Sequence, residues 1–300
     1  MSSVLIVGSV ALDTVETPMG LREEMLGGSA TYFSMAASHF SPVRLVAVVG
    51  DDFPDELRRL FESRAVDIEG LQVSPGRTFR WSGAYHGMMN EAVTRETQLN
   101  VFEGFRPMLP DRYRDTPFVF LGNIDPVLQA DVMTQIRAPE LVALDTMNFW
   151  IDGARNRLED VLARIDLLII NEGELQLLSG KSNVAAGIRD VMQMGPRSVI
   201  IKRGGYGSVL YHDSDWFFVP GYPEERVVDP TGAGDSFAGG FMGSLARDGE
   251  VTARTLRRAM IYGSVVASFN ITDFGPWKLA DLSAGDIEQR FNDFRRLVSI

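Results

Sequence analysis

Between residues 118 and 202, four short apolar runs each stop at a polar or glycine-rich stretch. Phe118-Val119-Phe120-Leu121 ends at Gly122-Asn123, and Leu141-Val142-Ala143-Leu144 ends at Asp145-Thr146-Met147-Asn148. Leu167-Leu168-Ile169-Ile170 ends at Asn171-Glu172-Gly173-Glu174, and Ser198-Val199-Ile200-Ile201 at Lys202-Arg203-Gly204-Gly205-Tyr206-Gly207. Strand-like runs alternating with helical segments predict an α/β fold: a doubly wound, mostly parallel central sheet with helices on both faces. In such a sheet the strands hand their polar residues to the carboxyl edge, where open α/β folds bind ligands. Val4–Val7, ending at Gly8, adds a further strand. Arg44 to Asp52 reads as strand then loop, and Asp55–Arg64 as a helix. With no internal repeat, low-complexity tract or linker, residues 1–300 are expected to form a single domain.

The densest polar stretch is Asp229-Pro230-Thr231-Gly232-Ala233-Gly234-Asp235, followed by Ser236-Phe237-Ala238-Gly239-Gly240-Phe241-Met242-Gly243-Ser244-Leu245-Ala246. Phe237, Phe241, Met242 and Leu245 recur at helical spacing. Ala238, Gly239, Gly240 and Gly243 leave room for another backbone to approach. Gly232 to Asp235 would then open a buried helix, whose first-turn amides have no intrahelical partner and attract anions, phosphate above all. An Asp at a helix start is more often a cap than a catalyst. Beside an anion-binding turn, Asp235 can instead take a proton from an attacking hydroxyl.

Other segments are more ambiguous. Asp13 follows the Val4–Val7 strand and is either a turn residue or a ligand contact. Leu26-Gly27-Gly28-Ser29-Ala30-Thr31-Tyr32 opens a helix-like segment through His39, its paired glycines serving a tight turn or a close backbone approach to ligand. Asn171 and Glu174 have the spacing of a capping box, in which an amide and a carboxylate also face the same way. From residue 78 to 102, Phe79, Trp81 and Tyr85 alternate with polar or small residues. Met88-Met89-Asn90-Glu91 can turn this run into a second strand, Ala92 to Val101. The absence of a helical crossover predicts an antiparallel pair outside the main sheet; an edge hairpin of the core is the alternative.

The run Asp-x-Thr-Gly-Ala-Gly-Asp at residues 229–235 resembles the second signature of the ribokinase-like (PfkB) carbohydrate kinases, and residues 27–52 resemble the first. The likeness extends from Val4 to about Phe269. It implies a kinase that moves the γ-phosphate of ATP to a hydroxyl of a small sugar or polyol. In this reading Asp235 is the base and the amides of Gly232, Ala233 and Gly234 form the anion hole. Asp13 holds substrate hydroxyls, with Gly27, Gly28, Tyr32 and Asn123 in the same subsite. Asn171, Lys202, Gly204, Gly207 and Gly234 contact the nucleotide, and Glu174 holds Mg²⁺ through water. Asp229 and Thr231 provide part of a K⁺ site whose remaining ligands the segment Asn270 to Pro276 does not reveal. Residues 78–102, and on this reading also 13–25, form a β-sheet lid that can pair with a second subunit. One departure is Tyr32, where the family commonly has an Asn that contacts substrate. A nucleoside kinase is the alternative, since Phe79, Trp81 and Tyr85 can stack on a base. A non-catalytic sugar-binding regulator is a third reading, against which the intact Gly-Ala-Gly-Asp counts.

Composition trims the other classes. The chain has a formal charge of -11, which argues against a nucleic-acid surface and requires a divalent cation, a helix N-terminus and placed basic residues if the ligand is a nucleoside triphosphate. There is no cysteine for disulfides or thiolate metal sites, and His39, His86 and His212 lie far apart in sequence. No apolar run approaches the roughly 18 residues of a membrane span. The N-terminus leads straight into a strand pattern without a signal peptide, so cytoplasm is the expected compartment. Ser179-Gly180-Lys181-Ser182 lacks the first glycine of a P-loop, with Leu175 in its place. Phe237 stands where a dinucleotide fingerprint needs glycine.

Overall fold

The computed structural model describes residues 2–87 and 89–298. Its centre is β1 (Val4–Val7), all four residues buried. Because successive side chains of a strand point to opposite faces, Val4 and Ile6 enter one apolar layer while Leu5 and Val7 enter the other. Helices cover both layers, which is why these strands read as unbroken apolar runs.

The chain leaves β1 into two strands of a separate small sheet, β2 (Ala11–Thr17) and β3 (Gly20–Gly27), and returns through α1 (Ser29–Ala37) to β4 (Val43–Gly50). α2 (Asp55–Ser63) and β5 (Val66–Ser74) follow, then β6 (Phe79–Tyr85) and β7 (Ala92–Gln98) complete the small sheet. From β8 (Phe118–Leu121) the alternation is regular: α3 (Pro126–Gln135), β9 (Leu141–Leu144), α4 (Asn148–Gly153), α5 (Arg155–Leu162), β10 (Leu167–Asn171), α6 (Glu172–Ser179), α7 (Val184–Met192) and β11 (Ser198–Lys202). A hairpin, β12 (Ser208–His212) and β13 (Asp215–Val219), precedes α8 (Ala233–Asp248), α9 (Ala253–Asn270), α10 (Trp277–Asp281) and α11 (Ala284–Val298).

Among the described residues the main sheet has the order β13-β12-β11-β10-β9-β8-β1-β4-β5. Pairing is parallel from β11 to β5 and antiparallel only at β11–β12–β13. The chain runs outward from β1 through β4 to β5, then resumes on the other side at β8, so the strand order reverses between β1 and β8. That reversal opens a crevice at the carboxyl ends of the strands. The small sheet has the order β3-β2-β6-β7, with antiparallel hairpins joined by the parallel pair β2–β6.

The glycines of α8 act as expected. A Cβ on Gly239 would stand 2.3 Å from the Phe33 carbonyl oxygen, and one on Gly243 2.9 Å from Ala37 Cα, both on α1. Gly240 faces the Tyr262 carbonyl of α9 at 3.1 Å. α8 is thus wedged between two helices at backbone distance, which fixes the position of its N-terminus. Gly239→Ala is expected to destabilise the protein by about 1–3 kcal/mol, because backbone rather than a flexible side chain must move; the midpoint of denaturant unfolding measures this.

Two expected boundaries shift. The second lid strand stops at Gln98 rather than Val101, because Asn100 enters a left-handed turn (φ 50°). Its carboxamide donates to the Thr78 carbonyl at 2.9 Å. The expected turn Met88 to Glu91 includes Met88, which lies outside the described residues; next to it Met89 N–H donates to the His86 carbonyl at 3.0 Å. Asp13 lies inside β2 rather than in a turn after β1. No described helix is long and apolar enough to cross a membrane.

Candidate active site

The crevice is bordered by the carboxyl ends of β1, β8, β9, β10 and β11, the start of α8, and the inner face of the small sheet. At the β1 end, Ser9 and Ser29 clasp one another: Ser29 N–H donates to Ser9 Oγ at 3.0 Å, and Ser9 N–H to Ser29 Oγ at 3.2 Å. Gly28 makes this turn with φ 90°, where a Cβ would stand 2.5 Å from the Ser9 carbonyl. Its neighbour Gly27 is needed for a different reason. A Cβ there would stand 1.9 Å from Asp13 Oδ2, so the carboxylate of Asp13 lies directly on the glycine backbone.

Asp13 is 4% exposed and its Oδ1 has no hydrogen-bond partner in the chain. Burial pushes its carboxyl up to about 7, opposed by the Gly28 N–H and reinforced by repulsion from Asp229 and Asp235. On the strands beside it, Met25 and Trp81 are its cross-strand neighbours. Val15, Met25, Tyr85, Val228 and Phe274 cluster here, with Trp81 and Met89 packed against them. Trp81 lies along the sheet over Gly83, where a Cβ would stand 2.3 Å from the indole, and its N–H donates to Thr94 Oγ1 at 3.2 Å. This side of the crevice therefore combines one carboxylate with an aromatic and thioether wall.

Opposite, Gly232 caps α8 in the left-handed conformation (φ 71°, ψ 5°). The Tyr32 ring fills the space over it: a Cβ on Gly232 would stand 2.2 Å from the ring carbons. Tyr32 is buried, its hydroxyl has no partner, and its pKa is held well above the usual tyrosine value by burial and then by Asp13, Asp229, Tyr85 and Asp235. In the first turn of α8, Ala233 N–H donates to the Pro230 carbonyl at 3.1 Å. The Ala233 amide thus closes the turn that leads into α8. Asp235 is half-buried, and burial raises its carboxyl to about 7, with Asp145 adding to the shift and Lys202 and its own backbone N–H opposing it.

Lys202 ends β11 and reaches the same place. Its Nζ donates to Asp145 Oδ2 at 2.8 Å, and a Cβ on Gly234 would stand 3.0 Å from that Nζ. Asp145 directly follows β9, with its other oxygen accepting from Thr146 N–H at 2.8 Å. Gln129 of α3 pins this edge, donating to the Gly122 and Asp145 carbonyls.

Asn171 and Glu174 form a complete capping box at the start of α6. Asn171 Oδ1 accepts from Glu174 N–H at 2.8 Å, and Glu174 Oε2 accepts from Asn171 N–H at 2.7 Å. Glu174 is buried, and burial and then Asp145 raise its carboxyl above the usual range, against the pull of Lys202. Asp229 is 1% exposed, accepting from Thr231 N–H at 2.9 Å and Gly275 N–H at 3.3 Å. Thr231 Oγ1 donates to the Tyr85 hydroxyl at 3.3 Å, tying the small sheet to the α8 turn. Gly204 and Gly207 flank a single 3₁₀ turn after β11, where the Gly207 backbone (φ 91°) leaves no room for a side chain against the Val219 carbonyl. Arg203 pairs with Glu172 at 2.9 Å. Asn123 is half-buried with its carboxamide engaged twice, donating to Met147 Sδ at 3.1 Å and accepting from Trp150 Nε1 at 3.0 Å.

A family model described as pfkB family carbohydrate kinase matches residues 130–279, half of the chain. The chain belongs to the PfkB family of carbohydrate kinases. As a PfkB protein it is a phosphotransferase with a hydroxyl acceptor. It is 28% identical over 285 residues to a cytidine kinase of Thermococcus kodakarensis, a match covering 93% of this chain and 99% of that one. Its structure is similar to that of a Burkholderia thailandensis nucleoside kinase in complex with ADP-inosine (TM-score 0.81, 20% identity, 97% and 95% of the two chains). It is equally similar to a protein from E. coli described as a ribokinase II in complex with ATP and Mg²⁺ (TM-score 0.81, 22% identity, 98% and 100% of the two chains). At these identities the structural likenesses establish the ribokinase-like fold.

Within this PfkB fold the structure gathers Asp13, Gly27, Gly28, Tyr32, Asp229, Thr231, Gly232, Gly234 and Asp235 around the α8 turn, and Glu174 and Lys202 beside it. Asn123 stands with Met147 and Trp150, its amide occupied. Sequence reasoning passed over Asp145. The signal was present: Asp145 is the first polar residue after a buried apolar run, as Asn171 and Lys202 are after theirs.

Proposed function

We propose that this enzyme transfers the γ-phosphate of ATP to a hydroxyl of a nucleoside, with Asp235 as general base. The observation that carries the reading is the placement of two carboxylates at one crevice, buried Asp13 on the small sheet and half-buried Asp235 at the α8 start. Both are raised to about 7; Asp13 has the Gly28 N–H beside it, whereas Asp235 has the start of α8 and the Lys202 ammonium. Two environments so different suit two roles. Asp235 takes the proton of the attacking hydroxyl as its oxygen bonds to phosphorus and the bond to the departing ADP breaks. Asp13, with a free Oδ1, accepts from a neighbouring hydroxyl and orients the acceptor. The amides of Gly232 and Gly234 and the Lys202 ammonium meet the charge on the transferring group, where each donor is worth about 3–4 kcal/mol. The small sheet acts as the lid that excludes water, and Gly204, Gly207 and Asn171 border the nucleotide. In this proposal Asp229 and Thr231 contribute to a K⁺ site.

Mg²⁺ fits as an ion that arrives with the nucleotide: it neutralises phosphate charge, and Glu174 can hold it through water with the oxygen its capping box leaves unused. Among the described residues no group of three or more His, Cys, Asp or Glu is arranged to hold a metal.

The wall of Trp81, Tyr85, Met25 and Phe274 around Asp13 favours a nucleoside, whose base has an apolar face, as does the likeness to a cytidine kinase. A sugar or polyol is the second reading, supported by the family match and by the single polar anchor of Asp13. ADP release from Mg-ATP across a panel of nucleosides, sugars and polyols, with and without K⁺, tests both. A nucleoside hit whose KM rises about tenfold or more in Trp81→Ala, the loss of roughly 1–3 kcal/mol of stacking, supports the first. A sugar or polyol hit indifferent to Trp81→Ala replaces it with the second, and equal rates with and without K⁺ remove the cation from Asp229 and Thr231. The outer face of the lid carries the ion pairs Arg80–Glu24 and Arg95–Glu16. A homodimer through the lid would bury them, and sedimentation at varied salt measures this.

A further inference from the structure

Lys202 is held in an extended reach. Asp145 directly follows β9 and Lys202 ends β11, and β10 lies between those strands. Two strand spacings, about 9–10 Å, separate those backbones, yet Lys202 Nζ and Asp145 Oδ2 are 2.8 Å apart. The lysine stem therefore crosses the carboxyl end of β10 and delivers its ammonium to the open side of Gly234, whose lack of a side chain leaves the space. Both side chains are largely withdrawn from water, at 18% and 7% exposure.

The choice of residue also matters. The chain's basic residues are arginines apart from Lys181, Lys202 and Lys278, so the cleft cation is a compact ammonium on a flexible stem. Such a group has no preferred direction of its own. Its aim comes from the carboxylate that holds it.

We propose that Asp145 is a positioning residue for phosphoryl transfer: it fixes the Lys202 ammonium beside the Gly234 amide, so that a stationary positive charge meets the transferring phosphoryl group. The inference rests on the kinase reading above. The alternative it must beat is a pair that merely staples β9 to β11.

The scarcity of lysine gives a test that does not depend on turnover alone. Trace acetylation of the whole protein, read by mass spectrometry, compares Lys202 with Lys181 and Lys278 as internal references. In the wild type Lys202 is expected to react more slowly than both, and ADP should slow Lys202 only. In Asp145→Asn, Lys202 should react about tenfold faster as its pKa falls by roughly a unit, with ADP protection weakened. In the same variant kcat should fall about 10²-fold, the effect of a misplaced catalytic group, with KM for ATP nearly unchanged. Asp145→Glu should recover part of kcat. If Asp145→Asn does not fold, Lys202→Met keeps the stem without the charge and should show the same loss of kcat. An Asp145→Asn enzyme with wild-type kcat, or one that loses kcat while Lys202 stays slow and ADP-protected, overturns the proposal. A wild-type protein that forms no ADP with any acceptor, yet shows ADP protection of Lys202, fails the kinase reading and leaves the placement of Lys202 standing. Absence of ADP protection in an active enzyme sinks the placement alone.

Discussion

Asp235→Asn is expected to lower kcat by about 10²- to 10⁴-fold, the range for a positioned base, while ADP affinity stays within a few fold. The substitution keeps the size of the side chain in the first turn of α8, so a loss confined to turnover identifies proton transfer rather than folding. Near-normal turnover would remove Asp235 from the role. The wild-type pH profile should carry the same message. Asp235 is raised to about 7 by burial and by Asp145, against Lys202, and Asp13, Glu174 and Tyr32 also face the crevice. A base must be unprotonated to act, so kcat/KM should rise with pH up to about 7 and then level. Asp13 also titrates near 7, so the limb is to be compared in Asp13→Asn. It should persist there, at a lower plateau. The linked effect on stability has the opposite sign. Carboxyls whose folded pKa lies above their unfolded value bind protons more tightly when folded, so their contribution is most favourable below about pH 4 and is lost as pH rises through 7. Asp13→Asn should therefore raise the melting temperature more at pH 8 than at pH 5.

The parts of this molecule legible in the sequence are those where one local pattern fixes one local structure. The apolar runs at Val4, Phe118, Leu141, Leu167 and Ser198 form parallel strands in the expected layers, because a strand covered on both faces has no polar alternative to offer. The glycine pattern of α8 announced close helix packing, and the structure supplies α1 and α9 as its partners. What depends on distant chain segments was less legible. Asp13 reads locally as a residue after β1, and only the family resemblance put residues 13–25 with the lid, because the other half of that sheet lies about 70 residues away. Ala233 reads as one amide of three, and its hydrogen bond to the Pro230 carbonyl across the left-handed turn at Gly232 has no local mark in the sequence. Asp145 and Lys202 are 57 positions apart, and nothing local marks them as a pair.

Gly232→Ala is expected to be the most damaging small substitution in the site. Two effects add. The residue sits at φ 71°, a conformation that an L side chain adopts at a cost of about 1–2 kcal/mol. The new Cβ would also stand 2.2 Å from the Tyr32 ring. That ring cannot retreat, because Tyr32 is 1% exposed and belongs to the main core on the α1 side. Overpacking of this kind costs about 1–3 kcal/mol, so a fall of roughly 2–5 kcal/mol in unfolding free energy is expected from the two together. Turnover should fall further than stability alone explains. Whichever backbone yields, the Gly234 amide and Asp235 carboxylate move with the helix start, and about 1 Å of misplacement is worth around 10²-fold in rate. Gly205→Ala is the control, since a Cβ there meets nothing within 4 Å; it should stay within about 0.5 kcal/mol of the parent. The double variant Gly232→Ala with Tyr32→Ala separates the two effects. Removing the ring should return the overpacking part of the stability, leave the left-handed strain, and leave kcat low because the floor of the turn is gone. Gly232→Ala with parental kcat and an unchanged denaturant midpoint would mean that Tyr32 does not support the anion hole. The departure from the family's usual Asn at that position would then bear on the acceptor alone.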